Sequence, residues 1–257
     1  MLNDDADRHP NIDVTIVMPC LNEAEWLPVC IANAKEALDA MYRELDLVGE
    51  IVIADNGSVD DSLFVARSLG VRVVDVDERG YGAALAGGFR SANGTYLVMG
   101  DADGSYDFRE SVWMVRRLVE GADLCMGSRF KGRIEPGAMP WLNRYVGNPV
   151  LTFVLNLLFR AGISDAHCGL RALTRASFER LSLSGRGMEF ASEMIVKAAL
   201  IDLKIVEVPT TLSKDLRNRP PHLRPWRDGW RHLRYLLTLS PRAFAVPGVK
   251  SRRVGAD

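Results

Sequence analysis

The chain has 257 residues, and its 47% hydrophobic content is that of a globular protein with a sizeable buried core. This composition excludes a disordered chain, a collagen-like repeat and a small disulfide scaffold. The net charge of −1 is unevenly distributed, because residues 214–253 carry eleven Lys or Arg and two Asp, a net charge of +9. That region predicts an anionic partner, such as a membrane surface, a phosphate substrate or nucleic acid.

Cysteine usage and hydropathy indicate a cytosolic protein. The four cysteines are Cys20, Cys30, Cys125 and Cys168. Their spacing is not that of a zinc or redox motif, so we expect reduced thiols. Residues 1–10 are polar and do not form a signal peptide. The longest apolar stretch, 146–159, is too short and too polar for a membrane span, so we expect the protein to be soluble or peripheral.

Predicted strands and helices alternate through the first half of the chain. Runs of β-branched residues predict strands, and apolar residues at helical spacing predict helices. The strands are 13–18 (ended by Pro19), 50–54, 71–76, 95–99 and 122–126, and the helices are 23–41, 58–69, 81–92 and 108–120. Because the strands are almost wholly apolar, this alternation predicts a parallel sheet with helices on both faces.

The second half of the chain is less regular. Apolar residues predict helices at 143–159 and 189–200, and a strand at 204–208 that Pro209 ends. Residues 170–181 have a mixed pattern. The 146–159 stretch predicts a core helix, with one wall of a lipid groove as the alternative. We see neither a repeat nor a linker and therefore expect one domain.

Polar clusters follow three predicted strands at their carboxyl ends, where doubly wound sheets bind ligands. These clusters are residues 19–23, 55–58 and 101–103. Asp101 and Asp103 supply the oxygen ligands that Mg²⁺ and Mn²⁺ prefer, and such cations often share their coordination with a substrate diphosphate. An acidic surface turn is the alternative for this pair alone. Convergence of the three clusters favours a metal–diphosphate site.

An ordered series of motifs resembles family 2 glycosyltransferases of the GT-A fold. In the first half the motifs are Met18-Pro19-Cys20-Leu21-Asn22-Glu23, Asp55-Asn56-Gly57-Ser58-Val59-Asp60, Arg79-Gly80-Tyr81-Gly82-Ala83-Ala84 and Asp101-Ala102-Asp103. Those of the second half resemble the polyprenyl-phosphate (dolichol-phosphate) mannose or glucose synthase branch: Gly127-Ser128-Arg129, Asp165-Ala166-His167-Cys168-Gly169-Leu170-Arg171 and Glu207-Val208-Pro209. The match implies a doubly wound, mostly parallel, Rossmann-like sheet with helices on both faces.

The resemblance also implies how the domain is divided. A single GT-A domain would span residues 1–240, followed by a polar tail at 241–257. Its nucleotide-sugar half would be about 12–128 and its acceptor half about 129–240.

The resemblance implies a nucleotide-sugar site built from strand-end residues. These residues are Pro19, Leu21, Asn22, Glu23, Ile53, Asp55, Gly80, Asp101, Ala102, Asp103 and Arg129. Asp55 would accept a hydrogen bond from a base N–H, since a carboxylate offers only acceptors. Asp101 and Asp103 would hold Mg²⁺ or Mn²⁺, which neutralises charge on the departing diphosphate. Some relatives continue this pair with Leu-Gln, but here Gly104-Ser105 follows, so no third protein ligand is expected.

The catalytic residues implied by the resemblance are Asp103, Arg129, Asp165 and Arg171. Arg129 would contact phosphate, because a guanidinium donates two parallel hydrogen bonds. Asp165 and Arg171 would belong to an acceptor-side loop, with a structural ion pair as the alternative. We expect His167 in that loop to be structural.

A phosphate acceptor changes what the site requires. A phosphate monoester has a second pKa of about 6, so it is mostly dianionic at neutral pH and is already a nucleophile. It therefore needs a cationic seat more than a general base. Lys214, Arg217 and Arg219 are the candidates for that seat.

The basic C-terminal region predicts an amphipathic helix at 226–239. Its apolar positions Trp226, Trp230, Leu233 and Leu237 run beside Arg227, Arg231 and Arg234. Such a helix can lie in a membrane interface, although a helix packed on the sheet is the alternative. Many relatives continue into membrane-spanning helices after a segment like 240–242, so a membrane surface or a membrane-protein partner would supply lipid affinity here.

We therefore predict an inverting, metal-dependent glycosyltransferase, peripheral at the cytoplasmic face of the membrane. It would move a hexose from a nucleotide sugar, of the GDP-mannose or UDP-glucose type, to a polyprenyl phosphate. The alternatives are transfer to a soluble or secondary-metabolite acceptor, a nucleotidyltransferase and a nucleic-acid-binding module that uses the basic region. The acidic body and the lack of a recognised binding motif argue against a nucleic-acid partner.

Overall fold

The computed structural model describes residues 12–215, and residues 1–11 and 216–257 lie outside the description. The strands are β1 Val14–Cys20, β2 Gly49–Asp55, β3 Arg72–Asp75, β4 Tyr96–Met99, β5 Leu124–Ile134, β6 Arg171–Thr174 and β7 Ile205–Leu212. The helices are α1 Leu27–Leu45, α2 Ser62–Ser68, α3 Tyr81–Ser91, α4 Ser111–Val119, α5 Asn148–Phe159, α6 Arg175–Leu181 and α7 Phe190–Leu200. Arg217, Arg219 and the predicted helix at 226–239 therefore lie outside the described residues.

The seven strands form one mixed sheet in the order β3-β2-β1-β4-β6-β5-β7. Neighbouring strands among β1 to β4 are parallel, as are β5 and β7. Strand β6 lies between β4 and β5 and runs antiparallel to both, with Arg171 opposite Met99 and Met126. The expected mostly parallel α/β sheet is confirmed, and the reversed strand is an addition that the mixed pattern at 170–181 did not reveal.

Apolar side chains cover both faces of the sheet, as expected. Successive residues of a strand point to opposite faces. Ile16 of β1 accordingly belongs to the core beneath α1 and α4, whereas the next residue, Val17, belongs to the core beneath α3, α5 and α7. The sheet is thus the middle layer of three, and its carboxyl edge stays open between the helix layers.

Two prolines do not end their strands, contrary to the sequence-based expectation. Pro19 lies within β1, on the side facing β4, but β4 ends opposite Val17. The missing N–H of Pro19 therefore removes no ladder hydrogen bond. Pro209 lies in β7, a strand at the sheet edge, where proline is also tolerated.

Two predicted helices are divided in the structure. A 3₁₀ turn, Phe108–Glu110, precedes α4, and the Asp107 side chain accepts the N–H of Arg109 at its start. A π turn, Asn143–Gly147, precedes α5. No helix within residues 12–215 is long and apolar enough to cross a bilayer.

The four cysteines are buried and unpaired, as expected of reduced thiols. Burial raises the pKa of Cys168 to about 12, so this thiol stays protonated at neutral pH.

We predict that Gly132→Ala destabilises the fold by about 1–3 kcal/mol, measured by urea unfolding. A Cβ at Gly132 in β5 would lie 2.3 Å from the carbonyl oxygen and 2.5 Å from the amide nitrogen of Thr210 in β7, so the two strands would have to separate. Gly147→Ala is the matched control, because its new Cβ would find its nearest neighbour at 3.5 Å. Equal stability of the two variants would contradict this account of β5–β7 packing.

Candidate active site

The turn after β2 is held by the Asp55 carboxylate. Asp55 Oδ2 accepts the N–H of Gly57 at 2.8 Å and that of Ser58 at 3.1 Å. Gly57 has a φ of +91°, a left-handed conformation that suits glycine. The predicted base-binding carboxylate is therefore buried and fixed by its own turn.

Asn56 connects this turn to the segment before α3. Its Nδ2 donates to the carbonyl oxygens of Val76 at 3.0 Å and Glu78 at 2.8 Å, and its Oδ1 accepts the N–H of Gly80 at 2.7 Å. Gly80 has a φ of +134° and immediately precedes α3. This one amide therefore brings Gly80 to the carboxyl end of β2. The sequence indicated no such role for Asn56, because its three partners lie 20 or more residues away.

The loop after β1 is tied to the same turn. Asn22 donates its N–H to Ser58 Oγ at 2.9 Å, and its Oδ1 accepts the N–H of Val59 at 2.7 Å. The N–H of Glu23 donates to Ser62 Oγ at 2.8 Å. The strand-end residues predicted to bind the nucleotide from β1 and β2 therefore lie in one connected region.

The turn after β4 holds the Asp-x-Asp pair. The Tyr81 hydroxyl donates to Asp101 Oδ1 at 2.9 Å. Burial, and then the Asp101 charge, raise the pKa of Tyr81, so it remains a phenol donor. Ser105 donates to Asp103 Oδ1 through its N–H at 3.0 Å and its hydroxyl at 2.5 Å. Ser105 thus orients Asp103, a role that its place in the sequence did not indicate.

The chemistry of the Asp101–Asp103 pair fits a hard divalent cation. Both residues offer carboxylate oxygens, the ligand type that Mg²⁺ and Mn²⁺ select. Residues 12–215 hold no cluster of three or more His, Cys, Asp or Glu suited to a metal ion. A cation held by two carboxylates would keep its other positions for water and diphosphate oxygens.

A buried ion pair joins β5 to the loop that precedes β6. Asp165 accepts from Arg129 through Nε and Nη2, both at 2.7 Å, and through the backbone N–H at 3.0 Å. The side chains are 8% exposed for Arg129 and 0% for Asp165. Burial disfavours the Asp165 carboxylate, but hydrogen bonds and the charge of Arg129 outweigh it and hold the pKa of Asp165 below its usual value.

Glu207 of β7 supports the loop that carries Asp165. Its carboxylate accepts the N–H groups of Ser164 at 2.7 Å and Asp165 at 3.2 Å. It also accepts from Lys131 Nζ at 2.7 Å, so it is itself charge-balanced. The Glu-Val-Pro motif thus contributes a carboxylate that positions the acceptor-side loop.

Arg171 lies beneath the loop that carries Asp165 and bonds to the backbone. It is fully buried, and its guanidinium donates to the carbonyl oxygens of Cys168 at 2.8 Å, Ala191 at 2.7 Å and Ala166 at 3.0 Å. Three carbonyls thus hold this side chain inside the protein, and its catalytic role stays a prediction. An ion pair between Asp165 and Arg171 is also not formed, because Asp165 pairs with Arg129.

Ile53 of β2 is a core residue. Its side chain is buried and packs against hydrophobic neighbours, and its contact with the nucleotide sugar stays a prediction. Ala102 is also buried, between the two carboxylates. Pro19 and Leu21 are partly exposed beside the β1 end.

The acceptor-side loop meets the Asp-x-Asp turn directly. The N–H of Gly169 donates to Tyr106 Oη at 2.9 Å, and a Cβ at Gly169 would lie 2.7 Å from Asp101 Oδ2. The N–H of Ser213 donates to the carbonyl oxygen of Ser105 at 2.9 Å, so Lys214, which is exposed, follows next to the same turn. Lys214 is predicted to bind the acceptor phosphate, and it thus follows a residue that is hydrogen-bonded to the turn of Asp101 and Asp103.

A cavity of about 680 Å³ lies where α3 begins. Its lining residues are Arg79, Gly80, Ser184, Gly185, Arg186, Gly187 and Glu189. The buried Glu193 holds one wall by accepting the N–H groups of Ser184 at 3.0 Å and Gly185 at 2.6 Å. This wall was not predicted, because nothing in the pattern at 182–189 distinguishes it from an ordinary loop.

The polar turns after β1 and β2 and the Asp-x-Asp turn after β4 all lie at the carboxyl edge of a mostly parallel sheet. This arrangement is that of a glycosyltransferase domain of the GT-A fold. The chain belongs to glycosyl transferase family 2, whose family model matches residues 15–182. The predicted family and enzyme class are therefore confirmed.

Several named proteins are similar to this chain. It is 42% identical over 250 residues to the low-salt glycan biosynthesis hexosyltransferase Agl6 of Haloferax volcanii, covering 96% of this chain and 58% of that protein. It is 27% identical over 224 residues to the polyprenol monophosphomannose synthase of Mycolicibacterium smegmatis, covering 82% of this chain and 81% of that protein. The chain thus spans little more than half the length of Agl6.

Solved structures share the fold. The glucosyl-3-phosphoglycerate synthase of Mycobacterium tuberculosis, in complex with Mn²⁺ and UDP-glucose, superposes with a TM-score of 0.67 at 22% identity. The match covers 93% of this chain and 81% of that chain. At this level of identity the likeness concerns the fold.

We predict that Asp165→Asn lowers the free energy of unfolding by about 3–5 kcal/mol, because it leaves the Arg129 charge buried without its partner. The pKa of Asp165 is lowered in the folded state, so its stabilising effect is complete above the usual carboxyl value of about 3.9. That effect is lost as the pH falls through the lowered value. Urea unfolding at several pH values should therefore show a difference from the wild type that narrows in acid.

The control for this variant is Glu120→Gln, which breaks an exposed ion pair with Arg117. We expect that change to cost about 0–1 kcal/mol. Similar losses in the two variants would contradict the importance of the buried pair.

Proposed function

We propose that this chain is an inverting, metal-dependent hexosyltransferase that moves a hexose from a nucleotide sugar to a polyprenyl phosphate. The observation that supports the proposal is the close approach of Gly169 to the Asp101 turn, where an added Cβ would lie 2.7 Å from Asp101 Oδ2. The predicted diphosphate site would then lie next to the loop that carries Asp165, the partner of Arg129. The names of Agl6, a hexosyltransferase, and of the polyprenol monophosphomannose synthase support the same reading.

On the donor side, Asp55 would accept from a base N–H, and the predicted donors are of the GDP-mannose or UDP-glucose type. Asp101 and Asp103 would hold Mg²⁺ or Mn²⁺, which would neutralise the negative charge of the departing nucleoside diphosphate. Tyr81 and Ser105 orient the two carboxylates through the hydrogen bonds described above.

On the acceptor side, a phosphate oxygen would attack the anomeric carbon from the face opposite the diphosphate. The new C–O bond forms as the bond to the diphosphate oxygen breaks, and the electron pair leaves with the diphosphate. Single displacement inverts the anomeric centre. The attacking phosphate is largely dianionic at neutral pH, with a second pKa of about 6, so no side chain has to remove a proton.

Cations would hold this phosphate in place. A guanidinium carries five N–H donors, and the Asp165 carboxylate takes two of those on the Arg129 side chain, so donors remain for a phosphate oxygen. Lys214 lies next to the Asp103 turn, and Arg217 and Arg219 follow in the chain. We assign these four residues to the acceptor phosphate and Asp165 to the orientation of Arg129.

We further propose that the protein works as a peripheral protein at the cytoplasmic face of the membrane, where polyprenyl phosphates are embedded. The functional domain would extend to about residue 240. The basic segment 214–253 would lie near anionic headgroups, which attract its positive charge. Partner proteins of the membrane would be an additional anchor.

A small phosphorylated acceptor is the second candidate. The glucosyl-3-phosphoglycerate synthase that shares this fold has been solved in complex with phosphoglyceric acid. The same cationic seat would bind any phosphate monoester, because it recognises the phosphate rather than the group attached to it.

The acceptor is tested by incubating the protein with radiolabelled GDP-mannose or UDP-glucose, Mn²⁺ and a polyprenyl phosphate. We expect label in the organic phase, as an acid-labile β-linked sugar phosphate. A parallel reaction contains phosphoglyceric acid instead. The second candidate would replace the first if two results were obtained together. The reaction with polyprenyl phosphate would leave its label in the aqueous phase, and the parallel reaction would transfer label to phosphoglyceric acid.

We predict that Asp103→Asn abolishes transfer while the circular-dichroism spectrum is unchanged, because the variant loses one of the two carboxylates that would hold the cation. Removing divalent cations with EDTA should have the same effect, and Mn²⁺ or Mg²⁺ should restore wild-type activity. Asp39→Asn, an exposed carboxylate of α1, is the control and should remain active. Full activity of the wild type in EDTA would refute the metal role.

A further inference from the structure

The outer face of α5, together with the turn that precedes it, exposes an unusual number of apolar side chains. Residues 12–215 have sixteen large hydrophobic residues that are exposed, and seven of them lie between 141 and 157. These seven, 40–69% exposed, are Trp141, Leu142, Tyr145, Val146, Val150, Phe153 and Leu157. Single exposed hydrophobics are common, whereas a contiguous patch indicates an interaction surface. We call these seven residues the α5 face.

The core does not need these side chains. Val146, Val150, Phe153 and Leu157 follow one another at steps of four, three and four residues, which places them on one side of a helix. The opposite side of α5 supplies the core through Leu155 and Phe159. The α5 face is therefore a second apolar side of a helix whose first side already packs against the sheet.

The charges within the segment that carries the α5 face have one sign. Residues 136–164 contain no Asp or Glu, and their charged residues are Arg144 and Arg160, one near each end of α5. The Arg144 guanidinium lies 5.4 Å from the Tyr145 ring centre, and the Trp141 and Tyr145 rings lie 5.7 Å apart. Tyr and Trp rings with an apolar body and a polar tip, beside arginine, are typical of groups at a membrane–water interface.

We propose that the α5 face docks onto a lipid bilayer with anionic headgroups. Charge distinguishes the bilayer from two other candidate occupants, a second copy of this chain and residues 216–257. A second copy of the face would bring Arg144 and Arg160 towards like charges, with no acidic residue between 136 and 164 to pair with them. Residues 216–257 carry a net charge of +8, so they are also not complementary to this face. Anionic headgroups complement the arginines while the acyl region takes the apolar side chains.

The inner side of α5 links this surface to the candidate active site. Thr152 Oγ accepts the N–H of Ala166 at 3.2 Å. Asn156 donates to the carbonyl oxygen of Ile163 at 2.7 Å and accepts its N–H at 3.2 Å. The helix thus holds the loop that carries Asp165, and docking would bring that loop to the headgroup region. The inference deepens the proposed lipid-acceptor function and rests on it for its biological meaning, although vesicle binding itself requires no acceptor.

The test is co-sedimentation of the full chain with phosphatidylcholine vesicles, with and without phosphatidylglycerol, and with no acceptor present. We expect binding to the anionic vesicles, and a loss of roughly tenfold or more for the double variant Phe153→Glu/Leu157→Glu, since carboxylates are unfavourable in the acyl region. The matched control is Tyr42→Glu/Phe64→Glu, which changes two exposed aromatic residues of α1 and α2. Equal binding of the two double variants would overturn the proposal.

A second measurement reports whether the face is open. Phe153→Cys, labelled with an environment-sensitive fluorophore, can be compared with Phe64→Cys, because the four native cysteines are buried. We expect solvent-like emission at both positions, and a blue shift on addition of anionic vesicles at position 153 alone. A probe at 153 that is already shielded without vesicles would overturn the proposal. Light scattering would then assign the cover to a second copy if a dimer is present, and to residues 216–257 if it is not.

Transfer to a short-chain, water-soluble polyprenyl phosphate without vesicles separates this inference from the proposed function. Transfer without vesicle binding by the wild type would overturn docking and leave the function standing. Vesicle binding through the α5 face without transfer would support docking and count against the polyprenyl phosphate acceptor.

Discussion

The second half of this domain depends on the buried pair between Arg129 and Asp165. Burial of both charges is unfavourable, and it is offset only because two guanidinium hydrogen bonds and a backbone N–H meet the same carboxylate. The pair joins the middle of β5 to a loop 36 residues further along the chain. Glu207 then joins that loop to β7. The ordered geometry of one side of the site thus follows from two carboxylates, each satisfied by both charge and backbone donors.

The sheet edge at β1 and β2 is built differently, from small polar residues that bond to the backbone of a neighbouring turn. Asp55 closes its own turn, Asn56 reaches the segment before α3, and Asn22 reaches back from β1. Side chains that bond to nearby backbone in this way replace regular secondary structure where the strands end. Each turn at this edge of the sheet is therefore held by hydrogen bonds to a neighbouring turn or segment. The two sides meet at the Asp101 turn, where Gly169 and Ser213 approach.

Much of this architecture was predictable, because strands buried on both faces leave long β-branched runs and their polar ends stand out. The errors have physical causes. Pro19 was expected to end β1, but the length of β4 decides whether its missing N–H matters, and one strand does not reveal the length of its neighbour. Ile53 and Asp55 are both close to a strand end, yet only the structure shows which side chain is core. The partner of Arg129 could not be read from the sequence, since the pair spans a long separation and its motifs suggested phosphate instead.

The reversed direction of β6 has a topological consequence for the site. In a wholly parallel sheet, the open edge receives only the loops that leave strands. Because β6 runs antiparallel between β4 and β5, with Arg171 opposite Met99, the loop that enters it arrives at that same edge. A single inverted strand therefore lets one edge collect both departing and arriving loops. It brings the loop that carries Asp165 to the edge where the Asp101 turn lies, without a second domain.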